Sequence, residues 1–107
     1  TPHLYQMIEQ LYPGNYVLKI VLDSSVDRDL RVNMVLPNAG YASIFSEGFV
    51  DFEVLSTETN VVYVEFTVTQ TVTNIKFELD FGTLGGDLTS VIGMFTIQEV
   101  LLYQDFN

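Results

Sequence analysis

The 107-residue chain contains no cysteine. A disulfide framework, a cysteine zinc site and thiol catalysis are therefore excluded. Tryptophan is absent as well, and histidine occurs once, as His3. A Ser-His-Asp arrangement needs a nucleophile and an oriented base, and here only one candidate base exists, close to the chain start. A surface or packing role is expected for it. Basic residues are few: four Lys and Arg against 14 Asp and Glu, for a formal net charge of -10. Nucleic acid is thereby disfavoured as a partner, since binding its backbone relies on cations that neutralise phosphates. An anionic membrane surface is disfavoured for the same reason. No run approaches the roughly 18 apolar residues of a membrane-spanning helix, and no signal peptide is visible. Thr1 in place of Met suggests a mature fragment or an excised domain.

What is present is a core. Hydrophobic residues make up 48% of the chain and charged ones 17%, too apolar a balance for a disordered segment. Val, Ile, Thr, Tyr and Phe dominate while alanine is scarce, which favours strands over helices. The length suits a single domain, residues 1–107. The clearest segment is Val61–Gly82, VVYVEFTVTQTVTNIKFELDFG. Val62, Val64, Phe66 and Val68 alternate with Tyr63, Glu65, Thr67 and Thr69. Ile75, Phe77, Leu79 and Phe81 then alternate with Lys76, Glu78 and Asp80. A period of two predicts two strands, each with one apolar face and one polar, acidic face. On this reading Glu65, Glu78 and Asp80 share one sheet face.

Further strands are predicted along the chain. Thr1–Leu11 fits a strand better than a helix, because no N-cap precedes it. Tyr12-Pro13-Gly14-Asn15 is a turn. Tyr16–Leu22 and Leu30–Leu36 are strands around the polar loop Asp23–Asp29. Pro37–Gly40 is a second turn, and Tyr41–Phe49 reads as irregular. Val50–Leu55 alternates again, Ser56–Asn60 is a turn or loop, and Val91–Tyr103 closes the chain. Its phase changes at Gln98-Glu99, the mark of a bulge or a fully buried stretch. About seven strands at this spacing predict an all-β antiparallel β-sandwich. A parallel α/β sheet is excluded, since no helical segments separate the strands.

Several kinds of chemistry can be weighed. Glu65, Glu78 and Asp80 could form the paired carboxylates of a glycosidase, but a short chain offers little depth for a cleft, so a solvated or ligand-bonding face is the better expectation. Gly82-Thr83-Leu84-Gly85-Gly86 follows a strand, yet no helix opens after it to cradle a phosphate. It reads as a turn. Asp23, Asp27 and Asp29 could supply oxygen ligands to a structural calcium, although their spacing matches no EF-hand. Six Tyr and eight Phe carry more information. Most Phe fall on the apolar phase, whereas Tyr5, Tyr12, Tyr41, Phe45 and Tyr63 fall in loops or on the polar phase. A flat ring beside polar side chains can stack on a sugar whose hydroxyls those side chains bond. Ordinary amphipathic Tyr on a sheet surface remains open beside that.

The order of the segments carries a resemblance. Tyr12-Pro13-Gly14-Asn15-Tyr16-Val17-Leu18-Lys19-Ile20, Arg28-Asp29-Leu30-Arg31-Val32, Phe66-Thr67-Val68-Thr69, Phe77-Glu78-Leu79-Asp80-Phe81-Gly82 and Thr96-Ile97-Gln98-Glu99-Val100-Leu101-Leu102 follow one another. Together they resemble the strands of the CenC-like carbohydrate-binding modules appended to bacterial cellulases, xylanases and glucanases. The resemblance covers Tyr12 to Leu102. It implies a jelly roll with a groove on one sheet face that binds a neutral polysaccharide without catalysis. It also implies a secreted or cell-surface location and a tether to a glycoside hydrolase or surface-anchoring domain. Tyr5, Tyr41 and Tyr63 would stack on sugar, in place of the Trp that many members use. Arg31, Glu65 and Glu78 would bond hydroxyls. Family members carry one or two further strands before the position of Thr1. Gln98-Glu99 stands where the family has Asp-Asn, a departure that puts the family's calcium in doubt. The rival expectation is a structural or adhesive β-sandwich from a cell-surface or phage fibre protein.

Overall fold

The computed structural model describes residues 3–81 and 94–106. Eight strands run in chain order: β1 (His3–Leu11), β2 (Gly14–Ser24), β3 (Arg28–Leu36), β4 (Ala42–Ser43), β5 (Val50–Val54), β6 (Asn60–Val68), β7 (Val72–Phe81) and β8 (Phe95–Asp105). They form two antiparallel sheets packed as a sandwich. The larger sheet has the order β1-β7-β3, with β4 and β5 both on the far edge of β3. The smaller has the order β6-β2-β8. Among the described residues, the two-residue β4, inside the segment read as irregular, is the one strand beyond those expected. Gly82–Gly86, expected as a turn, lies outside the described residues.

The alternation in the sequence becomes the inside and outside of the sandwich. Leu18, Ile20 and Leu22 of β2 and Val62, Val64, Phe66 and Val68 of β6 point inward. They meet Leu30, Val32 and Met34 of β3 and Ile75, Phe77, Leu79 and Phe81 of β7. Burying a side chain of this size stabilises the fold by about 1.5–3 kcal/mol. Phe66 sits between two rings, stacked on Tyr16 at 5.5 Å and tilted against Phe45 at 5.3 Å. Phe45 therefore corrects its sequence reading. Only 3% of it is exposed, because the chain after β4 folds inward and plugs the sandwich with this ring.

Polar groups inside are of two kinds. Asn60 is buried, and its amide is well used. Oδ1 accepts from the Leu55 N–H at 2.9 Å, while Nδ2 lies 3.0–3.2 Å from the carbonyls of Leu22, Leu55 and Glu58. It closes the β5–β6 turn on β2. Arg28 is also buried, and its Nε and Nη1 find no partner among the described residues.

The expectation that the two strands of Val61–Gly82 share a sheet face is overturned by their pairing. β6 and β7 follow each other directly but do not pair. β6 joins β2 in the small sheet, while β7 lies between β1 and β3 in the large one. The Thr69–Thr71 connection crosses the sandwich instead of closing a hairpin. Most successive strands cross in the same way, the winding of a jelly roll. The phase change in β8 is a bulge. Val21 faces Glu99 and Leu22 faces Ile97, so Gln98 is the extra residue. Leu102 packs against the core on one side of it, Phe95 and Ile97 on the other.

Candidate functional site

Because β6 and β7 belong to different sheets, the polar faces read from Val61–Gly82 point in opposite directions. Glu65 lies on the outside of the small sheet. Glu78 and Asp80 lie on the outside of the large one. The shared carboxylate face therefore does not exist. Glu65 and Glu78 cannot flank one glycosidic bond, which needs two carboxyl groups within about 10 Å on either side of it.

The outer face of the large sheet gathers Tyr5, Arg31, Tyr41 and Glu78. Strand register sets the arrangement, since residues opposed across an antiparallel pair share a face. Tyr5 on β1 is opposite Glu78 on β7, which is opposite Asn33 on β3. One rung away, Arg31 on β3 stands between Asp80 on β7 and Asp51 on β5. Tyr41 comes from the turn after β3, where a 3-10 turn (Pro37–Ala39) is followed by Gly40 at φ 65°. Tyr41 itself has φ 60°, and its N–H donates to the Leu36 carbonyl at 2.9 Å. A left-handed backbone costs a bulky residue about 1–2 kcal/mol. Here the turn holds the Tyr41 ring out over the sheet, 63% exposed, with Tyr5 at 61%.

Two cations organise this face, each held by a carboxylate and each against a ring. Lys76 Nζ is 2.9 Å from Glu78 Oε1 and 4.7 Å from the centre of the Tyr5 ring. The hydrogen bond to Glu78 holds the Lys76 pKa above its ordinary value, and Tyr41 and Tyr5 act weakly in the same direction. Both tyrosines thus lie within electrostatic reach of one ammonium group. Arg31 makes a two-pronged contact with Asp51, Nε to Oδ1 at 2.9 Å and Nη2 to Oδ2 at 3.0 Å. Its guanidinium lies 3.6 Å from the centre of the Phe49 ring. The hydrogen bonds from Arg31 hold the Asp51 pKa below the usual carboxylate range.

The outer face of the small sheet carries Tyr63 and Glu65. Tyr63 is opposite Lys19 on β2, which is opposite Leu101 on β8. Glu65 is opposite Val17, which is opposite Tyr103. Lys19 pairs with Glu99 at 3.2 Å, and that contact raises its pKa. At the end of this face Asn15, Glu65, Thr67 and Asp105 border a shallow cleft of about 250 Å³.

The sequence reading thus found six residues and joined them into one groove, whereas the fold divides them four and two. It missed Lys76, although spacing by two from Glu78 put both on one face. It missed Phe49 too, which precedes β5 and has no alternation to betray it. Tyr12 is exposed, and its carbonyl accepts from the Tyr16 hydroxyl at 2.7 Å. His3 opens β1. Two of the three aspartates weighed for calcium are engaged separately. Asp23 accepts from Thr59 at 2.8 Å and from Gln98. Asp27 accepts from the Ser56 N–H at 2.8 Å, which lowers its pKa. Asp29 faces Glu53 across β3 and β5. Among the described residues no three carboxylate or imidazole groups converge to hold a metal ion.

Comparison with models of known protein families, with curated proteins and with solved structures finds no match to this chain.

Proposed function

We propose that this chain is a non-catalytic carbohydrate-binding module of the CenC-like kind, with its glycan lying across the outer face of the large sheet. Tyr5 and Tyr41 stack on sugar rings. Glu78, Asn33 and the edge of Arg31 bond hydroxyls. The observation that carries this is the pair of outstretched tyrosines bracketing the Lys76–Glu78 ion pair. Adjacent strands are about 4.8 Å apart, so β1 to β3 spans about 10 Å, a width suited to a short stretch of polysaccharide. Both cations on the face are already matched by carboxylates, so the surface favours a neutral glycan over an acidic one. The role carries with it a location outside the cell and a tether to a glycoside hydrolase or an anchoring domain. Sequencing the flanking gene checks that tether.

Affinity electrophoresis against glucans, xylans and mannans tests the binding. Retardation by at least one polymer is expected, with loss of retardation in a Tyr5→Ala/Tyr41→Ala variant. A folded protein that none of the polymers retards ends this reading.

A structural or adhesive role is the second reading, and a specific observation favours it. Among the described residues β1 and β8 each have a strand on one side only and expose Leu4, Met7, Val100 and Leu101, and edge strands of this kind template further pairing. Light scattering that gives the mass of an oligomer would support it, and a monomer would count against it.

A further inference from the structure

Tyr63 and Glu65, singled out with the other candidates, take no part in the proposed glycan face. They stand on the opposite side of the molecule, beside the cleft of about 250 Å³ at the end of the small sheet. Three rungs of register define its surroundings. Thr67, Asn15 and Asp105 form the first, Glu65, Val17 and Tyr103 the second, and Tyr63, Lys19 and Leu101 the third. The floor is backbone and Val17, which points outward yet is only 7% exposed. The rim is polar. The Thr67 hydroxyl donates to Asn15 Oδ1 at 2.8 Å, which orients the Asn15 amide with its NH₂ free to turn to a ligand. Among the described residues, the Glu65 carboxylate makes no hydrogen bond or ion pair. Tyr63, two residues from Glu65 on the same face, is about 7 Å along the strand, and Tyr103 lies across Val17. Two half-exposed rings therefore stand on the same face as the cleft, outside its lining.

Resting on the carbohydrate reading above, we infer that this cleft is a second saccharide subsite and that the module holds two glycan chains at once, one on each outer face. The chemistry selects the ligand class. The Glu65 carboxylate on the rim is an acceptor, which suits the O–H donors of a neutral sugar, and the negative charge of the rim repels uronate or sulfated glycans. The volume lies below the 300–1,000 Å³ typical of sites for drug-sized ligands, so the cleft takes one ring, at a chain end or branch. The two subsites point away from each other across the sandwich, so one glycan chain cannot fill both without wrapping an edge, and a two-sided module cross-links separate chains.

Isothermal titration of the full chain with cellohexaose, xylohexaose and laminarihexaose tests the inference. The expected result is two equivalents bound per chain for at least one hexaose, falling to one in Asn15→Ala/Glu65→Gln and to one in Tyr5→Ala/Tyr41→Ala. Glu65→Gln alone, which keeps the shape of the side chain, is expected to weaken only the second binding event, by about tenfold, as guards against a folding artefact require. A parent protein that binds a single equivalent, unchanged in Asn15→Ala/Glu65→Gln, overturns the second subsite and leaves the large-sheet site standing. One equivalent that survives Tyr5→Ala/Tyr41→Ala but not the cleft variant overturns the two-sided module and the large-sheet site together. No heat with any hexaose, from a protein folded by circular dichroism, overturns both proposals.

Discussion

The two outer faces of this sandwich are built from similar residues and put them to different uses. On the large sheet, Lys76 and Arg31 each touch a carboxylate and a ring, so charge and aromatic surface are locked together. On the small sheet, Lys19 is tied to Glu99 on the edge strand, while Tyr63, Tyr103, Val61 and Leu101 stand beside it as open apolar surface. These three cations all sit on strands flanked on both sides, Lys76 on β7, Arg31 on β3 and Lys19 on β2. What differs is the second contact: Lys76 and Arg31 each lie over a ring, at 4.7 and 3.6 Å, whereas Lys19 is held by its ion pair with Glu99. What this teaches is that an exposed cation becomes a positioning device where it engages a ring as well as a carboxylate. Isolated surface pairs are worth about 0–1 kcal/mol, and Lys19–Glu99 is of that kind.

The largest expected effect separates the faces by binding. Tyr5→Ala/Tyr41→Ala should weaken oligosaccharide binding at the large-sheet face by at least about tenfold, or 1.4 kcal/mol, while Tyr63→Ala leaves that face unchanged. Titration calorimetry reads both, and equal losses from the two variants would erase the distinction.

A second variant sets backbone strain against function. Tyr41→Gly removes a left-handed tyrosine and should raise unfolding stability by about 0.5–1 kcal/mol, in urea denaturation, even as glycan binding falls. If stability drops instead, the Tyr41 ring supports the fold and its exposure is no sign of a ligand surface.

Lys76→Met tests the link between cation and ring. It keeps the bulk of the side chain but removes the ammonium group over Tyr5, and binding should fall by about threefold, the scale of an exposed cation–π contact. The corresponding Lys19→Met on the small sheet should leave large-sheet binding unaltered.

The smallest effect is a titration. Asp51 ionises below its unfolded value of about 3.9, because Arg31 hydrogen-bonds its charged form. A depressed carboxylate contributes stability above the unfolded pKa, and loses it as pH falls through the folded one. Carboxyl NMR should therefore find Asp51 titrating below about 3.9, and Arg31→Met should return it to the ordinary range. An unshifted Asp51 in the parent protein would mean that the two-pronged contact does not persist in solution.

Most of the strands were legible because their residues alternate. Leu30, Val32 and Met34, or Phe77 and Leu79, are inward in the fold as in the pattern. Phe45 was misread because it lies outside any strand of useful length, and its burial depends on meeting Phe66, 21 residues away in the sequence. Of the candidate site, Tyr5 beside Glu78 could not be foreseen, since that contact depends on β1 pairing with β7 across most of the chain. Lys76 beside Glu78 could have been, since both lie on one strand.

Val61–Gly82 states the division most plainly. Its sequence alone determined two strands, and which side chains of each meet the core, because successive Cβ atoms on an extended chain point to opposite sides. Whether Glu65 and Glu78 look out on the same solvent was decided only by the tertiary structure. Alternation is local, but the choice of sheet depends on pairing with β2 in one case and with β1 and β3 in the other. Those partners lie far off in the chain, and no residue spacing within the segment records them.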